Sequence, residues 1–470
     1  MVEPAKKHWY EKLPHPYAIL FFIILFAAIL TYIVPAGQYT RISIDTALGK
    51  RTVVDAASFK YLGTQFPTDL MGLFQSLPLG MIASGAIIFI TLISGMMFKV
   101  IESTGALENG VGVMVKHLGK DRYNVIIWVV TYIFGFLGAA VGFENNIGIV
   151  PIAAMIALGM GGDTLIGATI SAAAVGIGFA TSPINVYTVG TAHAIAQLPI
   201  FSGALVRTVY CIVALAILAQ QSCSYMKRLR QDPSKSYVLG VDTEGLALSK
   251  PLEEYSLTGT HKAVLAIFII GMAAIVYGTL KFGWYLNQIM AVFLMITVAT
   301  AVVARISPSK MVQTMMDGAS SVCGGAMAIG IARAIQVVLE NGKICDTIIH
   351  ALVAPLQSVG TIASGWLMVL ANCIINFFIP SGSGQAVVTM PIMTPIADMI
   401  NMTRQVAVFC FQIGDGVTNL IYPTMGGLLA MLALVRVPFD RWFRFAFPLV
   451  VKVTILGCII MTVAIKLGWN

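Results

Sequence analysis

The sequence predicts an all-α polytopic membrane protein made of two inverted repeats, each holding a re-entrant hairpin and a broken helix. Three observations predict it. Apolar side chains make up 58% of the 470 residues and charged ones only 11%, against about 25% charged in an ordinary soluble domain. Apolar runs of spanning length recur along the whole chain. Polar interruptions of those runs come as two hairpin-plus-break pairs in the same order.

The charge deficit excludes a soluble enzyme and a secreted binding module, because 21 acids and 29 bases cannot clothe a body of this size. The composition also excludes a disordered chain. The net charge of +8 fits cytoplasmic loops lying against a lipid bilayer, not a nucleic-acid partner. The seven cysteines form no CxxC pair and nearly all sit in apolar runs. They read as small core residues, with no disulfide and no metal site implied. There is no Walker motif, HExxH or GxSxG, so ATP does not drive the protein directly and an enzyme is not expected.

The elements follow in order. Residues 1–15 are polar, with Lys6, Lys7 and Lys12. The run 16–34 exceeds a signal-peptide core and reads as an uncleaved first span. A polar segment, 35–68, precedes an amphipathic stretch, 69–77, expected in the interface. Residues 79–101 span, and a basic stretch, 116–122, follows. The first hairpin is 124–160, with 142–146 as its polar tip. The first broken helix is 164–198, interrupted at 181–185, where Pro183 removes a backbone donor. A span at 201–226 ends in Lys227, Arg228 and Arg230. These elements make a first repeat of 1–230.

A cytoplasmic linker, 231–261, leads to a connecting span in 262–284, and the second repeat is 285–470. It opens with a span at 285–305, an interfacial stretch at 307–320 and a span at 321–339. The second hairpin is 361–400 with its tip at 381–385. The second broken helix is 403–438, interrupted at 415–419, and 443–466 is the last span. The grammar from Pro151 to Pro199 recurs from Pro391 to Pro438, one residue shorter. With the N-terminus in the cytoplasm, most Lys and Arg residues fall inside. The first hairpin then enters from the cytoplasm and the second from outside. The tally is about nine crossings and two hairpins.

Candidate chemistry sits at the interruptions. An acid at the bilayer centre costs roughly 2.5–3.5 kcal/mol, and Glu144 and Asp415 are placed there. Each either binds a cation or ammonium group, or pairs with a base such as Arg333 or Lys452. Asn145 and Asn146 follow Glu144. Ser381, Gly382, Ser383, Gly384 and Gln385 open a helix whose free N–H groups suit a carboxylate, or form a tight turn with a serine cap. Thr181, Ser182, Asn185, Thr418 and Asn419 supply oxygens either for Na⁺ or for helix capping. His193 is either satisfied by a neighbour or used as a proton relay.

The run Ser381-Gly382-Ser383-Gly384-Gln385-Ala386 with Met390-Pro391 is one half of a familiar pattern. Phe411-Gln412-Ile413-Gly414-Asp415-Gly416 and Ile421-Tyr422-Pro423-Thr424 complete it. Together they resemble the YfcC-like branch of the anaerobic dicarboxylate carrier family, in the ion transporter superfamily. The resemblance covers nearly the whole chain. It implies a homodimer in the bacterial inner membrane, with a scaffold and a moving, elevator-type transport domain. No cofactor is expected beyond Na⁺ or H⁺ as coupling ion. Members of this branch are named as basic amino acid antiporters, some as arginine/ornithine exchangers; others in the wider family carry four-carbon dicarboxylates. Branch members often carry an acidic pair at the first tip, and here Asn145 follows Glu144.

The leading expectation is therefore a secondary transporter of a small amino-acid-like solute, with a cationic amino acid ahead of a dicarboxylate. A channel would need a continuous polar stripe along full spans, and polar residues here cluster at four breaks.

Overall fold

The computed structural model describes residues 16–46, 49–55, 57–119, 122–246 and 254–469. The N-terminal segment 1–15 and residues 247–253 of the linker, both expected on the cytoplasmic side, lie outside the described residues.

The chain opens with α1 (Pro16–Ile33), which buries Leu20, Ile24 and Ala27 in a cluster with Ala334 and Val338. The next segment corrects the all-α expectation. It holds β1 (Gly37–Gln38), β2 (Arg41–Thr46), β3 (Gly49–Val54) and β4 (Lys60–Tyr61). These form two antiparallel pairs, β1 with β4 and β2 with β3. Ile42, Ile44, Val53 and Val54 supply the β-branched residues that a strand favours. A short, polar-flanked pattern of this kind is easily read as loop.

Next come α2 (Leu70–Ala83), α3 (Gly85–Ser103) and α4 (Ala106–Leu118). The single span expected at 79–101 is thus two helices meeting at Ser84, and the stretch expected in the interface belongs to α2. Asp69 caps α2 by accepting from Gly72 N at 2.7 Å, which fixes its start. α4 replaces a segment that was read only for its bases.

α5 (Tyr123–Val141) and α6 (Val150–Gly159) flank a 3₁₀ turn, Glu144–Ile149. α7 (Thr164–Ala168), a π-helical turn and α8 (Ala174–Thr181) continue without a gap. Every residue of that 18-residue stretch is buried, so the first broken helix runs through the middle of the molecule. α9 (Thr191–Ile195) follows the break, and α10 (Ala204–Gln231) is long and straight through the basic cluster.

The second half starts with α11 (Gly259–Phe282) and α12 (Leu286–Val303). The expected pair of an interfacial stretch and a span is one helix, α13 (Pro308–Asn341), of 34 residues. Ser307 caps it and Pro308 sits in its first turn, and nothing inside it removes a hydrogen bond. α14 (Cys345–Val353) had no counterpart in the sequence reading. α15 (Thr361–Phe378) and α16 (Gly382–Met399) form the next pair. α17 (Arg404–Val417), α18 (Gly426–Leu434) and α19 (Phe439–Leu467) close the chain.

Among the described residues, eight helices are long and apolar enough to cross a membrane, and they include the first arms α5 and α15. Small residues let the central helices touch. A Cβ at Gly178 of α8 would lie 1.9 Å from Gly135 O, and one at Gly138 of α5 would lie 2.1 Å from Val175 O. Such backbone contact holds helices together where apolar burial alone cannot.

The β segment docks as a lobe. Arg41 grips Asp346 through two nitrogens at 2.8 and 2.9 Å, and Tyr39 N donates to the same carboxylate at 2.9 Å. Phe59 stacks on His350 with centroids 3.9 Å apart. Burial and the neighbouring Asp346 push the Tyr39 hydroxyl up to about 12, so it stays protonated. Val53 joins a cluster with Ala386 and Met390 of α16 and with Val189.

Candidate functional site

A cavity of about 210 Å³ lies where the interruptions meet. Its wall carries Glu144, Asn145, Ser381, Gly382, Ser383 and Asn419 from the expected residues, joined by Tyr187, Tyr285, Arg333 and Thr424.

The first tip is built by a glycine and an asparagine. Gly142 ends α5 at φ 115°, a left-handed turn that an L side chain resists. Asn146 Nδ2 donates to Gly142 O at 2.5 Å and so pins the tip from behind. Phe143 is buried in edge contact with Phe179, centroids 5.9 Å apart. Glu144, half-buried, is left to face the cavity. A Cβ on Gly427 would sit 3.0 Å from Glu144 Cγ, so α18 starts against this acid.

The second tip lies at Ile379, Pro380 and Ser381. Ser381 Oγ accepts from Gly384 N at 3.3 Å and caps α16, so Gly382 to Gln385 form its first turn rather than the tip itself. Gln385 Nε2 donates to Asn372 O at 3.1 Å and Oδ1 at 2.9 Å, which ties α16 to α15 behind the cavity. Gly382 permits a close approach of three interruptions. A Cβ there would lie 2.4 Å from Thr188 Cγ2 and 3.3 Å from Asp415 Oδ2.

The first break uses its polar groups locally. Thr181 Oγ1 donates to Ile177 O at 2.6 Å and Ser182 Oγ to Ala139 O at 2.9 Å. Asn185 Oδ1 accepts from Tyr187 N at 2.9 Å and Thr188 N at 3.1 Å. The carbonyl freed at Ser182 accepts from Gln412 Nε2 at 2.7 Å. Gln412 is held in turn by the buried Arg207, whose Nε donates to Gln412 Oε1 at 2.9 Å. His193 is satisfied by neighbours: Nε2 faces Gln405 Oε1 at 2.8 Å, and Phe201 N donates to Nδ1 at 3.2 Å.

The second break begins one turn later than expected, since Asp415 and Gly416 remain in α17. Asn376 Nδ2 faces three oxygens there: Asp415 O at 2.6 Å, Thr418 Oγ1 at 2.8 Å and Asn419 Oδ1 at 2.9 Å. Asp415 is fully buried and lies off the cavity wall, and among the described residues neither carboxylate oxygen has a hydrogen-bond partner. Asn376 Oδ1 is likewise buried without a partner. The bases weighed as partners for the acids are engaged elsewhere: Arg333 bonds Gln336, and Lys452 Nζ donates to Gln221 at 2.8 Å.

Arg333 is legible in the sequence as an ionisable residue inside an apolar run, and the structure places it on the cavity wall. Tyr187 and Tyr285, with centroids 4.9 Å apart, carry no sequence signal that separates them from other aromatic residues in spans. The cavity thus combines one acid, one guanidinium, hydroxyls, aromatic faces and the N-terminus of α16. That set can hold an ammonium and a carboxylate together.

Residues 13–466 match the family model of DcuC, the C4-dicarboxylate anaerobic carrier. The chain belongs to the DcuC family. Within it, the chain is 26% identical over 97% of its length, and 97% of the relative's, to an Escherichia coli (strain K12) protein named "Putative basic amino acid antiporter YfcC". It is also 26% identical to an uncharacterized protein of Haemophilus influenzae, over 99% of both chains. Among solved structures, the YdaH transporter of Alcanivorax borkumensis aligns with a TM-score of 0.42 at 15% identity, over 97% of this chain and 99% of that one. MtrF of Neisseria gonorrhoeae aligns with a TM-score of 0.41 at 15% identity, over 97% and 96%. This DcuC-family chain is a multi-pass membrane transporter.

Proposed function

We propose that this DcuC-family transporter carries a cationic amino acid, by arginine/ornithine-type exchange or by ion-coupled uptake. One observation carries the reading: Glu144 and the N-terminus of α16 line the same cavity. The acid takes an ammonium or guanidinium, and the free N–H groups of Gly382 and Ser383 take the α-carboxylate. The printed name of the Escherichia coli relative supports the same class.

The helix pairs α5–α6 and α15–α16 are proposed as opposed re-entrant hairpins of two inverted repeats, riding with both broken helices as one moving domain. The spans of α1, α2–α3, α12 and α13 form the scaffold of a homodimer in the bacterial inner membrane, with the N-terminus in the cytoplasm. The coupling ion, Na⁺ or H⁺, is assigned to the second break, where Asp415, Thr418 and Asn419 gather oxygens around Asn376. Thr181, Ser182 and Asn185 at the first break act instead in local hydrogen bonds that hold the broken helix.

A second reading rests on Arg333. A guanidinium on the wall beside Ser381 and Ser383 suits a four-carbon dicarboxylate, the substrate in the family's name. A thermal-shift screen of purified protein separates the two. Stabilisation by arginine, ornithine or lysine and not by succinate, fumarate or malate supports the first. The reverse pattern replaces it with the second.

A further inference from the structure

A second cavity, of about 630 Å³, opens between α10 and α19. It shares no residue with the first. Among the described residues, its lining carries three cations, Arg228, Arg444 and Lys452, and no carboxylate. The nearby Asp163 is already bonded to Tyr225 and Ser236, each at 2.7 Å.

The placement follows from helix geometry. Arg444, Pro448 and Lys452 recur every four residues on α19 and form one stripe, as Gln220, Ser224 and Arg228 do on α10. Tyr210 bonds Val453 O and Gln221 bonds Phe445 O, so the two helices pass antiparallel, and Arg228 near the end of α10 and Arg444 near the start of α19 line the same groove. Gln221 joins the stripes: its Nε2 donates to Phe445 O at 2.9 Å, and its Oε1 accepts from Lys452 Nζ at 2.8 Å. Lys452 is the fourteenth of the 29 residues of α19 and remains exposed. An exposed cation at that depth is costly against hydrocarbon. The groove is flanked by exposed apolar side chains on both helices, among them Val209 and Ile212 on one and Phe447 and Val451 on the other.

We propose that this groove binds an anionic phospholipid. The phosphate sits between Arg228 and Arg444 at the mouth, where basic pockets between spans hold lipid head groups. Lys452 and Gln221 below it donate to the ester carbonyls of the glycerol backbone. The acyl chains lie along the apolar flanks. A soluble anion would gain nothing from those flanks, and a zwitterionic lipid would carry its own cation into a cationic groove.

Native mass spectrometry of the purified full chain tests this with phosphatidylglycerol and phosphatidylcholine of matched chains, and with inorganic phosphate. Phosphatidylglycerol is expected to bind about tenfold tighter than phosphatidylcholine. Arg444→Gln with Lys452→Gln is expected to erase that preference, while Lys262→Gln with Lys310→Gln removes the same charge and keeps it. No preference in the parent, or equal loss in both double variants, overturns the proposal. Competition by inorganic phosphate at millimolar levels also overturns it, since the site would then be for a free anion. Should the groove variant fail to fold, photoactivatable phosphatidylglycerol on the parent decides: crosslinks within 213–228 and 444–452 support the site, and crosslinks only elsewhere refute it.

Discussion

Asn376 Nδ2 lies 2.6 Å from the backbone carbonyl of Asp415, and this contact joins α15 to the break that ends α17. The same nitrogen faces Thr418 Oγ1 and Asn419 Oδ1. An amide has two protons for these three acceptors, so the junction is short of donors. Beside it stand three buried oxygens without partners, Asp415 Oδ1, Asp415 Oδ2 and Asn376 Oδ1.

Replacing Asn376 removes the junction. Asn376→Ala should lower stability by about 1–3 kcal/mol, the cost of leaving buried acceptors unpaired. If Na⁺ binds at this break, Na⁺ should raise the melting temperature of the parent and not of the variant. A variant with the full Na⁺ response would move the ion site elsewhere.

Glu144→Gln keeps the shape of the tip and removes its charge. Affinity for a cationic amino acid should fall roughly ten- to a hundredfold, the worth of a charge-assisted hydrogen bond. Ser383→Ala should cost less, since backbone N–H groups remain. Transport assays across a series with and without a side-chain cation read the difference. Unchanged discrimination in Glu144→Gln would make the acid structural and raise the dicarboxylate reading.

The glycine contacts at the centre make a contrast. Gly178→Ala puts a methyl 1.9 Å from Gly135 O, and the helices must part. The cost should be about 1–3 kcal/mol or more. Gly85→Ala meets nothing within 4 Å and should be near neutral. Melting temperatures in detergent compare them directly; equal effects would mean that α5 and α8 yield without strain.

Arg41→Ala cuts the grip on Asp346, which is only 6% exposed. The β lobe should open to protease before the helices melt, with limited cleavage appearing within 37–61. A lobe as resistant as the parent's would show that Tyr39 N and the Phe59–His350 stack suffice.

Orientation is checked with single cysteines at Ser58 and Ser234 in a cysteine-free background. The proposed topology expects Ser58 to label from outside and Ser234 from the cytoplasm. Labelling of both from one side would remove the inverted arrangement.

The four interruptions were legible because polar residues inside apolar runs are conspicuous. Glu144, Ser381 and Asn419 stood out for that reason, and the structure places all three on one cavity. Exact break positions were less legible: Asp415 looks like the interruption, but a buried acid can remain helical while the chain turns at Thr418. α13 was divided in two because its first half is polar enough to resemble an interfacial helix, and only its packing shows one rod. The strands pair locally but are short and flanked by polar residues, while α14 and the docking of the lobe depend on partners some 300 residues away, as Tyr39 and Asp346 are. Contacts of that separation leave no local pattern.

The lobe between α1 and α2 rests on α16 through Val53, while Arg41 and Phe59 fasten it to α14. Any sliding of α16 past α14 must therefore shear a small, buried apolar contact. On the proposed topology the lobe lies outside the bilayer, so it offers a grip on that sliding. An antibody fragment raised against residues 41–54 would recognise one arrangement of the two helices over another. It would serve as a conformational brake and as a fiducial for imaging.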